Sequence, residues 1–239
     1  MNNQFALRTG KRETRLYLFR ALLMSVYEQH VLPHLINCAC GSSPIRFLRK
    51  RIVPSCSGRV LEIGMGSGLN LPYYDPKKVE FIWGLEPSLG MRNKAKKNLA
   101  KSTIEVKWLD LPSEKIPLES NSVDTILLTF CLCTIEDTQT ALAEMHRVLK
   151  PSGKLIFVEH GLSHEPKIIT WQNRITPSWK KVSGGCHLDR AIDLMITNAH
   201  FSIDSIERFY QRNIPKIAGY IYLGEASKQP ILIKSPYDK

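Results

Sequence analysis

No stretch of the 239 residues is both about twenty residues long and nearly free of charge, the minimum for a helix that crosses a bilayer. The longest approach to one, Leu16 to Ile36, is apolar at helical spacing but is broken by Arg20, Glu28, Gln29 and Pro33. Two readings of it stay open: a helix that covers a domain, or an amphipathic, Arg-flanked helix lying on a membrane surface. Met1 to Gly10 lacks the apolar centre of a secretory signal, so cysteines 38, 40, 56, 131, 133 and 186 are expected as free thiols in a reducing, cytoplasmic compartment. Neither Cys38-x-Cys40 nor Cys131-x-Cys133 has the paired C-x-x-C spacing of a common zinc site, and no metal is expected. Repeats and low-complexity runs are absent too, which leaves one domain with an N-terminal helical arm, divided at residues 1–45 and 46–239.

What is abundant is positive charge. Lys and Arg number 33 against 22 Asp and Glu, a formal net charge of +11, which favours anionic partners without selecting nucleic acid, an acidic lipid surface or a small substrate. "GSSPIRFLRKRIVPSCSGR" reads as the link between arm and domain, with turn residues at either end and a cationic run from Arg46 to Arg51.

From Val60 onward, short apolar runs alternate with helical ones, the pattern of a parallel sheet with crossover helices. Strands are predicted at 59–63, 80–85, 103–109, 123–130 and 154–159, with helices at 88–100 and 137–149, the second capped by Asp137 and stopped by "KPSG". A segment rich in Trp and His, 161–187, precedes a helix at about 188–199. Two final strands, 201–209 and 220–226, have no helix between them. Such neighbours must pair antiparallel, because a parallel pair needs a crossover of a dozen or more residues. The expected fold is α/β: a Rossmann-like, doubly wound, seven-stranded sheet, mostly parallel, with an antiparallel C-terminal strand pair.

The first strand runs into "VLEIGMGSGLNLPYY", Val60 to Tyr74, with glycines at 64, 66 and 68. Glycines here permit a tight turn and close approach of a ligand to the backbone. The spacing is tighter than the dinucleotide fingerprint G-x-G-x-x-G, and no Lys-Ser/Thr follows, which excludes a P-loop. Glu62 would repel a pyrophosphate but suits an ammonium group. Glu86, 18 residues past Gly68, stands where a ribose-hydroxyl acceptor is usual. A nucleoside with a cationic, phosphate-free tail satisfies all of this, and S-adenosylmethionine is such a molecule.

With Glu86-Pro87-Ser88 through Met91, "NSVDTILLTF" at 121–130 and "EMHRVLKPSGKLIFVEH" at 144–160, the set resembles the class I S-adenosylmethionine-dependent methyltransferases, particularly the methyltransferase type 11 group. "TFCLCTI", "FVEHG", "WQNRITPSW" and "GGCHLDR" are similar to a bacterial subfamily and, more distantly, to animal methyltransferase-like proteins that methylate alkyl thiols. The resemblance implies that Glu62 holds the methionine amino group and that Gly64, Gly66 and Gly68 pass beneath the cofactor. It implies further that Glu86 takes the ribose hydroxyls, Met91 packs near the adenine, and Thr129, Phe130 and Cys131 face the sulfonium. The adenine contact falls to the loop with Ser113 and Glu114, where the acid the family commonly carries is displaced.

A methyl acceptor of high pKa must lose its proton, and His160, at the end of the fifth strand, is the first candidate base, with Glu159 or His187 as alternatives. Trp171 and Trp179 either wall an apolar pocket or join the core; Cys131 and Cys133 are expected on one face of a strand. The acceptor is expected to be a small molecule: a thiol, an amine or a lipid-like compound. An RNA target is the less favoured alternative, because Thr129-Phe130-Cys131-Leu132 lacks the Asn/Asp-Pro-Pro-aromatic loop of exocyclic-amine enzymes and no Pro-Cys nucleophile occurs. A non-catalytic protein touching a membrane through its N-terminal arm is a third.

Overall fold

The computed structural model describes residue 27 and residues 31–229. Helices α1 (Leu32–Cys40) and α2 (Ser43–Ile52) lead into β1 (Gly58–Ile63) and β2 (Val79–Leu85). Then follow α3 (Leu89–Leu99), β3 (Val106–Leu109), β4 (Val123–Thr129), α4 (Thr138–Val148) and β5 (Leu149–His160). The chain continues through α5 (Pro166–Val182), α6 (Ile192–Asn198), β6 (Phe201–Tyr210) and β7 (Tyr220–Lys228). Seven strands form one sheet in the order β3-β2-β1-β4-β5-β7-β6. The first five run parallel, while β7 lies antiparallel to both β5 and β6, as the missing crossover requires.

The central strands carry apolar runs because both of their faces are covered. Leu61, Ile63, Ile126, Leu128, Leu155 and Phe157 point to the face holding Leu142, Met145 and Val148 of α4 and Ile192 and Ile196 of α6. Their alternates Val60, Leu127, Ile156 and Val158 point to the face holding Ile45, Leu48 and Ile52 of α2. At about 1.5–3 kcal/mol for each fully buried aliphatic side chain, these two clusters dominate the favourable side of folding.

The predicted cap at Asp137 forms, and Ser88 supplies a second. Ser88 Oγ accepts from the Met91 N–H at 3.3 Å, and Asp137 Oδ1 from the Thr140 N–H at 3.0 Å.

Several expectations are corrected. The segment 41–59 is no linker, since its Ile45, Leu48 and Ile52 recur at helical spacing and make α2 a layer of the domain; the boundary after residue 45 falls inside this helix. "KPSG" does not separate α4 from a later strand. Strand β5 begins directly at Leu149 and bulges, so that Val123 faces Leu149 while Thr125 faces Lys154. The segment 161–187 holds a seventeen-residue helix that is mostly exposed: only Gln172 and Thr176 are buried, and Pro177 lies inside it. Trp171 and Trp179 are accordingly 53% and 39% exposed and belong to neither core nor cavity. Cys131 and Cys133 do not share a strand, for β4 ends at Thr129 and both lie in the turn beyond it.

Of the Leu16–Ile36 stripe, all but Tyr27 and residues 31–36 lies outside the described residues. Among the described residues, no helix is long and apolar enough to cross a membrane.

Candidate functional site

A cavity of about 230 Å³ opens over the C-terminal ends of β1, β2 and β4, the crevice where the strand order reverses. The turn after β1 forms its floor. Gly64 and Gly66 sit at φ +62° and +58°, a region glycine enters without penalty. A Cβ on Gly64 would stand 2.7 Å from the Cβ of Cys131, so the glycine lets this turn press against the end of β4. Both glycines line the cavity, whereas Gly68 lies further along, against Leu71 and Asn98.

Glu86 leaves the end of β2 and is fixed from two sides. Oε2 accepts from the Gly66 N–H at 2.9 Å and Oε1 from the Ser88 N–H at 2.8 Å. Burial raises its pKa above the ordinary carboxylate value, and the two backbone donors only partly offset that. Glu86, Ser88 and Met91 line the cavity together; Pro87 does not.

Glu62 itself does not line the cavity. Only 1% exposed, it accepts from Asn70 Nδ2 at 2.8 Å and from the Tyr74 hydroxyl at 2.6 Å, so both carboxylate oxygens are occupied beneath the floor. A lone buried carboxylate would cost several kcal/mol, and these donors are what offset it. The group the sequence did not reveal is Arg49 of α2. Only 4% exposed, it reaches the cavity and donates from Nη1 to Asn70 Oδ1 at 2.6 Å and to Thr129 Oγ1 at 3.0 Å. Its Nε is buried without a partner, a donor left over at the cavity. Helical spacing was the available signal, since Arg49 adjoins Leu48 on the face that Ile45 and Ile52 define.

Thr129, Phe130 and Cys131 form the wall above β4. Phe130 adopts φ +57°, an uncommon conformation for a bulky residue, held by its N–H to Val158 O at 3.0 Å. Helix α1 closes the opposite side with Leu32, Pro33, Ile36 and Asn37, and Asn37 accepts from the Ser67 hydroxyl. Ser113 and Glu114 stay apart from the cavity: Ser113 Oγ donates to Glu114 Oε2 at 3.3 Å, and Glu114 Oε1 accepts from the Asp137 N–H at 3.3 Å.

The candidate bases fare differently. Glu159 is completely buried and accepts through Oε1 from the N–H groups of Cys131 and Leu132 at 2.9 and 3.1 Å, so it shapes the turn after β4 and does not reach the cavity. His187 faces Asp189 at 3.4 Å, outside the cavity, with a pKa lowered chiefly by burial. His160 stacks beside Phe130 with centroids 6.5 Å apart, and its Nε2 lies 3.2 Å from Cys186 Sγ. Burial opposes charge on His160, but Cys186 and Glu159 outweigh it and raise its pKa. A hydrogen bond from Cys133, and then the His160 partnership, pull the Cys186 thiol down to about 4. The hydrogen bond between them favours charge on both groups, and His160 does not line the cavity.

Residues 61–157 match the family described as Methyltransferase domain. These residues, less than half of the chain, are similar to a methyltransferase domain. The chain is 33% identical over 159 residues to thiol S-methyltransferase TMT1B of Rattus norvegicus, a match that covers 62% of each chain, and 33% identical over 162 residues to TMT1B of Homo sapiens, covering 64% of each. The chain thus spans less than two thirds of the length of these relatives. It is also 32% identical over 119 residues to the ubiquinone/menaquinone biosynthesis C-methyltransferase UbiE of Geotalea daltonii, covering 48% of this chain and 50% of UbiE. A solved S-adenosylmethionine-dependent methyltransferase from Thermotoga maritima shares the fold of the domain, with a TM-score of 0.61 and 20% identity over 86% of this chain and 99% of that one. The cofactor of such a methyltransferase domain is S-adenosylmethionine, and the donor set here fits it: a fixed carboxylate and no phosphate cradle beside glycines that keep the floor free of side chains.

Proposed function

We propose that this protein transfers the methyl group of S-adenosylmethionine to a small-molecule thiol. One observation carries the cofactor half of this reading: Glu86 stands at the cavity with both oxygens pinned by backbone N–H groups, ready to accept from paired ribose hydroxyls. Gly64 and Gly66 would lie beneath the cofactor. Arg49, with its unpartnered Nε, would meet the carboxylate of the methionine tail, the part of the ligand the sequence reading left without a partner.

Bound there, S-adenosylmethionine supplies a methyl group on a sulfonium whose departure leaves a neutral thioether. The chain's contribution is alignment and dryness. Thr129, Phe130 and Cys131 hold the acceptor side, and the apolar side chains of α1 keep water away. A cavity closed by a helix favours a small acceptor over RNA. The choice of a thiol is supported by the thiol S-methyltransferase relatives.

A methyl-label transfer screen across alkyl thiols, amines, phenols, phospholipids and transfer RNA tests this reading. Transfer to alkyl thiols above all others is the expected result; labelling of amines or RNA in their place would refute the acceptor, and no cofactor binding by calorimetry would refute the whole.

A further inference from the structure

Three side chains far apart in sequence meet beside the cavity. Cys133 lies in the turn after β4, His160 ends β5, and Cys186 follows Gly184 and Gly185, whose φ values of +65° and +84° turn the chain back after α5. One donor atom from each lies within 4.8 Å of the others, and Cys186 Sγ is 3.2 Å from His160 Nε2. Around a tetrahedral zinc, with bonds of about 2.3 Å to sulfur and 2.0–2.1 Å to nitrogen, neighbouring donors stand roughly 3.5–3.8 Å apart. The cluster needs only a small adjustment to reach that spacing. All three donors are buried, so a bound ion would be held away from bulk solvent.

We propose that Cys133, His160 and Cys186 bind one zinc-class divalent cation. Two sulfurs and an imidazole are the soft and borderline donors that such ions select over magnesium or calcium. The site escaped the sequence because its donors are spread over 54 positions and three elements, and no C-x-x-C spacing announces it.

Loading places thiolates on both sulfurs and a neutral imidazole on His160. One proton leaves Cys133 and one leaves the His160–Cys186 pair, both to solvent, and the cation's two charges are balanced by the two thiolates. Three protein donors leave a fourth position, the arrangement of reactive rather than purely structural zinc. Thr134 and Gly184, each within two residues of a donor, line the cavity, so the fourth position borders the space assigned to the acceptor. Resting on the thiol reading above, this makes the acceptor thiolate the fourth ligand: the cation holds it deprotonated at neutral pH and replaces the base that Glu159, His160 and His187 do not provide.

The full chain, purified under reducing conditions, would be assayed for bound zinc, then stripped with a chelator and titrated with cobalt(II). One equivalent of zinc and a sulfur-to-cobalt charge-transfer band at one equivalent are expected. The band should disappear in C133S and C186S and survive in C38S, a cysteine outside the cluster. Cobalt affinity in each of the first two should drop by more than the roughly 10–100-fold that changes behind a ligand cost. Circular dichroism identifies any variant that fails to fold, and H160N, which keeps a polar group of similar size, provides a third disruption.

No band with folded wild-type protein, a band that persists in both cysteine variants, or a Cys133–Cys186 disulfide found by mass spectrometry overturns the site. A band unmoved by a saturating alkyl thiol overturns the fourth-ligand role. Thiol methylation by metal-free protein would overturn the inference yet leave the proposed function standing, and a cation site with no thiol methylation would do the reverse.

Discussion

Arg49 and Asn70 meet at 2.6 Å beneath the cavity, and Asn70 passes the contact on to Glu62 at 2.8 Å. The acid singled out in the sequence and the arginine read there as part of a linker are thus two ends of one buried chain of hydrogen bonds. Its members share charge in a low-dielectric setting, so removing one leaves the others exposed to the full cost of desolvation.

R49M should therefore cut S-adenosylmethionine affinity at least tenfold, because a hydrogen-bonded charged partner is worth about 1.5–3 kcal/mol. R49K, which keeps the charge but loses the planar fork, should recover only part of it. Calorimetry reads the affinity and a thermal melt reads the fold. Equal affinity in wild type and R49M would remove Arg49 from the cofactor site.

Glu86 should make cofactor binding sensitive to acid. Its pKa is raised, chiefly by burial, so it takes up a proton at a higher pH than an exposed glutamate does. Binding that needs the ionised carboxylate is present above this raised value and lost as pH falls through it. A titration of affinity against pH should show the loss beginning above the usual carboxylate range. E86Q should bind weakly at every pH and show no such step.

Asp124 should contribute to acid lability of the fold. Burial alone would raise its pKa, but the hydrogen bond from Lys150 and the Arg59 N–H at 2.9 Å prevail and lower it. A depressed carboxylate stabilises the native state above its unfolded pKa, and that contribution is lost as pH falls through the folded value. The side chain is 31% exposed, so solvent screening limits the effect, and D124N should cost about 1 kcal/mol at neutral pH. The difference from wild type should vanish in urea denaturation at strongly acidic pH.

G64A tests the floor of the cavity. Its φ of +62° imposes about 1–2 kcal/mol on any residue with a Cβ, and that atom would meet Cys131 at 2.7 Å. The variant should melt several degrees lower and lose cofactor binding, whereas G219A, away from the site, should retain binding.

The sheet was legible because its signals are local. Alternating apolar runs mark β1, β4 and β5, the absence of a crossover between 209 and 220 dictates the antiparallel ending, and Asp137 announces the helix it caps. The cofactor floor was legible for the same reason, since Gly64, Gly66 and Glu86 are tied to the ends of adjacent strands. What escaped depends on contacts between distant segments. Glu62 was given a ligand because nothing in the sequence shows that Asn70 and Tyr74 fold back onto it. Helix α5 was missed because Pro177 in its interior reads as a break and the residues it buries, Gln172 and Thr176, are polar. His160 looked like a base until Cys186, 26 residues later, was found against it.

The placement of β7 has a consequence for the order in which the protein can be completed during synthesis. Strand β6 emerges from the ribosome first, yet it sits outermost, attached to the sheet only through β7. Until residues 220–228 have been made, β5 presents a bare edge along Lys154 to His160, an open template for pairing with another nascent chain. The corner holding Glu159 and His160 is sealed only when β7, the last of the described strands in chain order, has been made and Tyr222 and Ile221 come to lie beside them.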